Sequence, residues 1–205
     1  MNARISAFPL CLLLLAVSLG AGADPRPRRA APVIASLDGQ FLVATRRLVD
    51  PHFSRTVIFM VAHNGEGALG LVVNRALGAI KLKDLFGEIG VEGSDKKVDL
   101  HYGGPVEMSM GFVLHTDDFA GTSTQLFRGG IALSTGIDIV RVVASGKGPK
   151  QSLFLSGYTG WGAGQLEHEI ARGDWLVAPA DAGLIFSADP ATVWERALAR
   201  AGLAL

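Results

Sequence analysis

From residue 37 onward the apolar positions fall into short runs separated by glycine, proline and charged pairs. Phe41-Leu42-Val43-Ala44 predicts a first strand, and Asp50-Pro51 marks a turn. Thr56 to Ala62 is a continuous β-branched and aromatic run, the pattern of a strand buried on both faces. His63 to Gly67 reads as a glycine-containing loop of about five residues, and Ala68 to Asn74 as the return strand of a hairpin. Leu82, Leu85, Phe86 and Ile89 recur at i, i+3, i+4 and i+7, so Lys81 to Ile89 predicts a short amphipathic helix.

Lys96 to Tyr102 predicts a strand that runs into Gly103-Gly104-Pro105, and Gly111 to His115 predicts another. Gln125 to Phe127 and Ile131 to Leu133 flank a tight turn at Gly129-Gly130. Ser134 or Thr135 offers a side-chain oxygen to cap a helix over Ile137 to Ser145. Leu153 to Leu155 predicts a buried strand that enters a turn built on Gly157, Gly160, Gly162 and Gly164. A helical pattern follows from about Ala163 and ends at Gly173. Such a strand, turn and helix leaves backbone N–H groups free to meet an anion or a carbonyl. Trp175 to Ala178 and Leu184 to Phe186 read as further strands. Asp189-Pro190 starts a last helix faced by Val193, Trp194, Ala197, Leu198 and Ala201. Strands in runs with short helices between and after them predict an α+β fold. The expected architecture is a mixed, largely antiparallel sheet with short flanking helices, forming a single compact domain over residues 37–205.

Composition changes this picture at the N-terminus. Residues 1–23 have a short basic start with Arg4, an apolar run from Ile5 to Leu19, and small residues Ala21-Gly22-Ala23 before Asp24. That is the layout of a secretory signal peptide. Two alternatives stand beside it: an uncleaved anchor, because the run approaches the roughly 20 residues that span a bilayer, and a start site placed too far upstream. Arg26, Arg28 and Arg29 follow the run, and basic residues favour the cytoplasmic side. The expected location is therefore exported or periplasmic if the segment is a genuine signal, and cytoplasmic otherwise. Membrane contact is expected only if the segment stays attached. Residues 24–36 are a Pro/Arg-rich tether. Cys11 is the single cysteine, so removal of the segment leaves a chain without thiol chemistry.

Nineteen basic and nineteen acidic residues cancel, and no helix-turn-helix pattern is present, which argues against direct nucleic-acid binding. The glycine-rich stretch lacks the dinucleotide fingerprint, because Gln165 stands where a third glycine belongs. His168-Glu169 begins a zinc-protease motif, but Arg172 holds the second histidine position. There is no G-x-S-x-G around Ser134 or Ser156, and no Walker spacing at Gly146-Lys147-Gly148. No metal, cofactor or catalytic residue is assigned. Loops presented by a rigid sheet are where sites sit. The candidate ligand-binding residues are accordingly His63, Asn64, Arg75, Tyr102, Gly103, Gly104, Tyr158, Gly160, Trp161 and Gln165.

Four collinear pieces resemble the bacterial AlgH/YqgE family: Asp50–Arg75 (DPHFSRTVIFMVAHNGEGALGLVVNR), HYGGPV with GFVLH (within 101–115), LST (133–135), and LSGYTGWGAGQLEHEI (155–170). The chain departs from the pattern at Ala76, at Gly136-Ile137 and at Gly162, and its apolar leader lies outside the pattern. The resemblance implies a stand-alone α+β domain, typically cytoplasmic and without established enzymatic activity. Some members are described as regulators of exopolysaccharide gene transcription. The functional expectation is a non-enzymatic binding or regulatory module for an undefined protein or small-molecule partner. The alternative is an enzyme acting on a small anionic ligand at the glycine-rich turn.

Overall fold

The apolar runs become a ten-stranded sheet with helices on both faces. The structure, a computed structural model, describes residues 36–86 and 95–203. The chain opens with β1 (Gln40–Ala44), β2 (Val57–Asn64) and β3 (Gly67–Val72). β4 (Ala76–Lys81), α1 (Leu82–Phe86), β5 (Lys97–Tyr102) and β6 (Val106–Thr116) follow. Next come β7 (Thr124–Phe127), β8 (Ile131–Ser134), α2 (Ile137–Ala144) and β9 (Ser152–Gly162). The chain finishes with α3 (Gln165–Arg172), β10 (Trp175–Pro179), α4 (Ala182–Ile185) and α5 (Pro190–Leu203).

The strand order is β10-β1-β2-β3-β9-β6-β8-β7, and the β4–β5 hairpin joins β9 through β5. Among the described residues only the β5–β9 pairing is parallel, with Leu100, His101 and Tyr102 beside Phe154, Leu155 and Ser156. The fold is therefore α+β with a mixed, largely antiparallel sheet, as its sequence pattern predicts.

Period-two alternation explains where the core sits. On one face Phe41, Val43, Val57, Phe59, Leu71, Leu114, Leu153 and Leu155 pack beneath Val193, Trp194, Ala197 and Ala201 of α5. The other face is shared. Leu42, Ile58, Met60 and Val72 lie with Leu166 of α3 and with Trp161 and Trp175. Val98, Val113 and Phe154 lie with Ile139, Val140 and Val143 of α2. Both faces of β2 are covered, which is why its sequence is an unbroken apolar run. Each fully buried side chain of this size contributes about 1.5–3 kcal/mol relative to exposure.

Several expectations are corrected. The supposed glycine-rich turn is part of β9, an eleven-residue strand that pairs with β3, β5 and β6. Gly157, with Gly103 and Gly104 opposite it, is there for backbone approach. A Cβ on Gly103 would strike the Gly157 carbonyl oxygen, one on Gly104 the Tyr158 carbonyl, and one on Gly157 the Gly104 carbonyl. Gly157 also takes φ +73°, open to glycine at little cost. β2 and β3 remain paired to Asn64 and Gly67, so the hairpin closes on Gly65-Glu66 instead of a longer loop. The Asn64 side chain stabilises this turn by accepting from the Glu66 N–H at 2.8 Å. Helix α2 is capped by Gly136 with no side-chain bond, and neither Ser134 nor Thr135 serves. Leu184 to Phe186 is not a strand; it belongs to helix α4 and its C-cap, and the Asp181 carboxylate accepts from the Leu184 N–H at 2.9 Å. The expected export segment, most of the tether and the end of the helix at Ile89 lie outside the described residues. No helix among the described residues is long and apolar enough to cross a membrane.

Candidate functional site

Five of the residues singled out from sequence fall into two groups on different parts of the sheet. The first lies beneath α3 and is closed by its own hydrogen bonds. The Leu37 N–H donates to His63 Nδ1 at 3.2 Å, which leaves the ring proton on Nε2, and Nε2 donates to Glu167 at 3.0 Å. Glu169 Oε2 accepts both the Trp161 and Trp175 indole N–H groups, each at 2.9 Å. Gln165 donates to the other Glu169 oxygen at 3.0 Å and accepts from the Gly162 N–H at 3.1 Å. The carboxylates of Glu167 and Glu169 stand beside the start of α3 and disfavour an anion at Gly162–Gln165. These side chains fasten α3 to the sheet.

Between the groups, Gly103 and Gly104 are buried against the backbone at Gly157 and Tyr158. Gly160 is paired with Leu69 across the β3–β9 ladder. The Tyr158 ring packs edge-on against Phe112 with centroids 6.2 Å apart.

The second group surrounds an open cleft. Tyr102 Oη meets His52 Nδ1 at 3.3 Å, and burial raises the tyrosine pKa. Arg75 donates to the carbonyls of Pro51 and Ser54 at 2.9 and 3.1 Å. Together with Asn74, Leu77 and Asp189 these residues line a shallow depression. It shares Ala76 and Pro190 with a neighbouring cleft of about 620 Å³, between β5, the loop before β9 and the start of α5. His101 lies in that cleft with 4% of its surface exposed. Its Nδ1–H donates to the Val73 carbonyl at 3.0 Å. Nε2 makes no hydrogen bond among the described residues. Burial pushes the imidazole pKa below its usual value, so the ring is neutral at pH 7 and Nε2 carries a lone pair. Lys96, Lys97 and Lys150 line the cleft against one acid, Asp99, which gives it a positive character.

Sequence reasoning left His101, Lys97 and Lys150 off the candidate list. The signal was the alternation Val98, Leu100 against Asp99, His101, which puts the histidine on the face opposite the apolar pair. His115 is different again. Its Nδ1–H donates to the Thr116 carbonyl at 2.8 Å, so Nε2 accepts from the Ser134 hydroxyl at 2.9 Å. Ser134 then accepts from Thr124 at 2.7 Å, whose oxygen accepts from the Gly121 N–H at 2.8 Å. His115 and Ser134 are both fully buried, and this serine–histidine pair ties β6 to β8. Among the described residues no cluster of three or more His, Cys, Asp and Glu could hold a metal ion.

Fold and cleft together define an α+β sheet protein with a positively lined cleft at the side of its central strand. The family model described as AlgH-like (DUF179) matches residues 41–205, and the chain belongs to that family. A UPF0301 protein of Methylococcus capsulatus is 49% identical, over 88% of this chain and 100% of its own length. The solution structure of the AlgH protein from Pseudomonas aeruginosa is similar with a TM-score of 0.69 and 36% identity, covering 88% of this chain and 93% of that one. A crystal structure from Corynebacterium diphtheriae shares the fold at 19% identity, with a TM-score of 0.63 over 78% of this chain and 84% of that one. These names assign no reaction.

Proposed function

We propose that this protein is a non-enzymatic binding module whose ligand is a small anionic molecule seated in the cleft over His101. The observation that carries the reading is His101 itself. It is a buried neutral imidazole, fixed by the Val73 carbonyl, with its second nitrogen turned to a lysine-lined cleft. Nε2, which has no partner among the described residues, is an acceptor for a ligand hydroxyl or N–H, while Lys97 and Lys150 hold the anionic end. Regulation would follow if ligand occupancy changed how the surface around Tyr102 and Arg75 meets a partner.

A neutral imidazole with a free nitrogen is also the state that a general base needs, which keeps the enzymatic alternative specific. Calorimetric titration with a panel of phosphorylated and carboxylated metabolites tests both. Binding is expected to weaken at least about tenfold in Lys97→Gln/Lys150→Gln, through loss of charge-assisted contacts, and the ligand should be recovered unchanged. Chemical conversion of the ligand, abolished by His101→Gln, would establish the enzyme instead. Binding indifferent to both substitutions would remove the cleft from consideration.

A further inference from the structure

Beyond the cleft, the structure carries a second cluster of positive charge. Arg46 and Arg55 approach the same indole ring, Trp194, with guanidinium carbons 5.9 and 5.3 Å from its centroid. The ring is fixed from behind, because its N–H donates to the Ala44 carbonyl at 2.8 Å and only 5% of the residue is exposed. Both arginines line a notch of about 350 Å³ with Thr45, Leu48, Val49, Ser54 and Trp194, and no acid is among these lining residues. Neither guanidinium has an ion pair or hydrogen bond among the described residues. Four other bases do sit on acids: Lys81 and Lys83 on Asp95, Arg172 on Asp174, Arg200 on Asp181. One cation over an indole is explained by the ring quadrupole. Two cations drawn to one ring repel each other, and a negative group between them relieves that repulsion.

The loop that presents Arg55 is held in a conformation it would not choose. Arg55 has φ 56°, in the left-handed region that disfavours a side chain. Asn74 clamps it from both sides, donating to the Arg55 carbonyl at 2.9 Å and accepting from the Val57 N–H at 2.8 Å. Arg75 ties the same loop through Pro51 and Ser54. Two adjacent side chains thus maintain a strained residue whose own side chain points at the notch. Left-handed non-glycine residues persist where their surroundings over-determine them, and they cluster at ligand clamps.

We infer that the Arg46–Arg55–Trp194 notch binds a phosphate monoester. Two permanent positive charges match a group of about −1.5 to −2 charge, and two guanidinium forks match its three oxygens. Leu48 and Val49, the latter 83% exposed, supply an apolar rim for an aromatic substituent on the phosphate.

Titration of the purified protein with phenyl phosphate, followed by calorimetry at low and high salt, tests this. Saturable binding that weakens with salt is expected. Arg46→Gln and Arg55→Gln should each weaken it at least about tenfold, since each removes a charge-assisted fork. Lys97→Gln/Lys150→Gln should leave it unchanged, which separates this notch from the His101 cleft. Benzoate, with one charge, should bind at least about tenfold more weakly. Both arginines are exposed, so unaltered melting curves should accompany the lost affinity. Equal affinity in the arginine variants, equal affinity for benzoate, or no saturation up to about 10 mM would each overturn the assignment.

Discussion

Glu169 is the side chain on which the attachment of α3 turns, and its removal gives the sharpest test of the closed group. One carboxylate oxygen accepts two indole N–H groups at 2.9 Å and the other accepts Gln165. Glu169→Ala leaves the Trp161 and Trp175 N–H groups without that acceptor, in residues only 8% and 3% exposed. A buried donor left unpaired costs about 1–3 kcal/mol. Water entering beside the half-buried Glu169 position offsets part of this, so a loss of about 2–4 kcal/mol is expected. For a chain of this size that lowers Tm by about 4–16 °C. Glu169→Gln should cost less, about 1–2 kcal/mol, because its carbonyl can still serve the indoles. Its amide then faces the Gln165 amide, two donors in opposition. Two of the three tryptophans report on this spot, so urea unfolding followed by tryptophan fluorescence reads the change directly. A loss below about 0.5 kcal/mol for Glu169→Ala would refute the reasoning, since that is the range of an ordinary surface substitution.

His101 and His115 both have pKa values pushed down by burial from the ordinary 6.5. The unfolded chain then binds more protons just below 6.5, so their contribution is complete above that value and falls by up to about 1.4 kcal/mol per pH unit for each group as pH drops toward the folded pKa. Urea midpoints should accordingly be lower at about pH 5.5 than at about pH 7.5, and equal midpoints would contradict it. Gly157→Ala should destabilise by about 2–4 kcal/mol, combining a left-handed backbone with a collision against the Gly104 carbonyl, as melting curves will show. At the other end of the chain, if residues 1–23 are cleaved on export, sequencing of the mature N-terminus returns Asp24; an intact start would rule out cleavage.

The strands were legible because burial on one or both faces writes itself into alternation or unbroken apolar runs. Phe41–Ala44, Thr56–Ala62 and Trp175–Ala178 are cases, and so is the last helix, whose Val193, Trp194, Ala197 and Ala201 reach the core. The glycines of β9 misled because glycine permits turns and close backbone approach alike, and spacing does not separate the two. Only the position of Gly103 and Gly104 against Gly157 decides for approach, and that contact joins residues more than fifty positions apart. Among the candidate site residues, Arg75 and Tyr102 do border an open cleft. His63, Trp161 and Gln165 turn instead to partners on α3, which local sequence cannot reveal.

The residues that make the chain recognisable are thus largely those that let backbones cross or fasten one helix. The side chains free to meet a ligand lie elsewhere: Lys97 and Lys150 on an exposed strand and loop, Arg46 and Arg55 beside Trp194. Fold and ligand chemistry are separable here for a physical reason. A Cβ at Gly104 meets a carbonyl, and a missing Glu169 orphans two buried donors, so changes there act on stability. Replacing an exposed lysine or arginine removes charge without opening a cavity. Loss of binding in Lys97→Gln/Lys150→Gln or Arg55→Gln at unchanged Tm would therefore report on function alone, which Gly157→Ala in β9 cannot do.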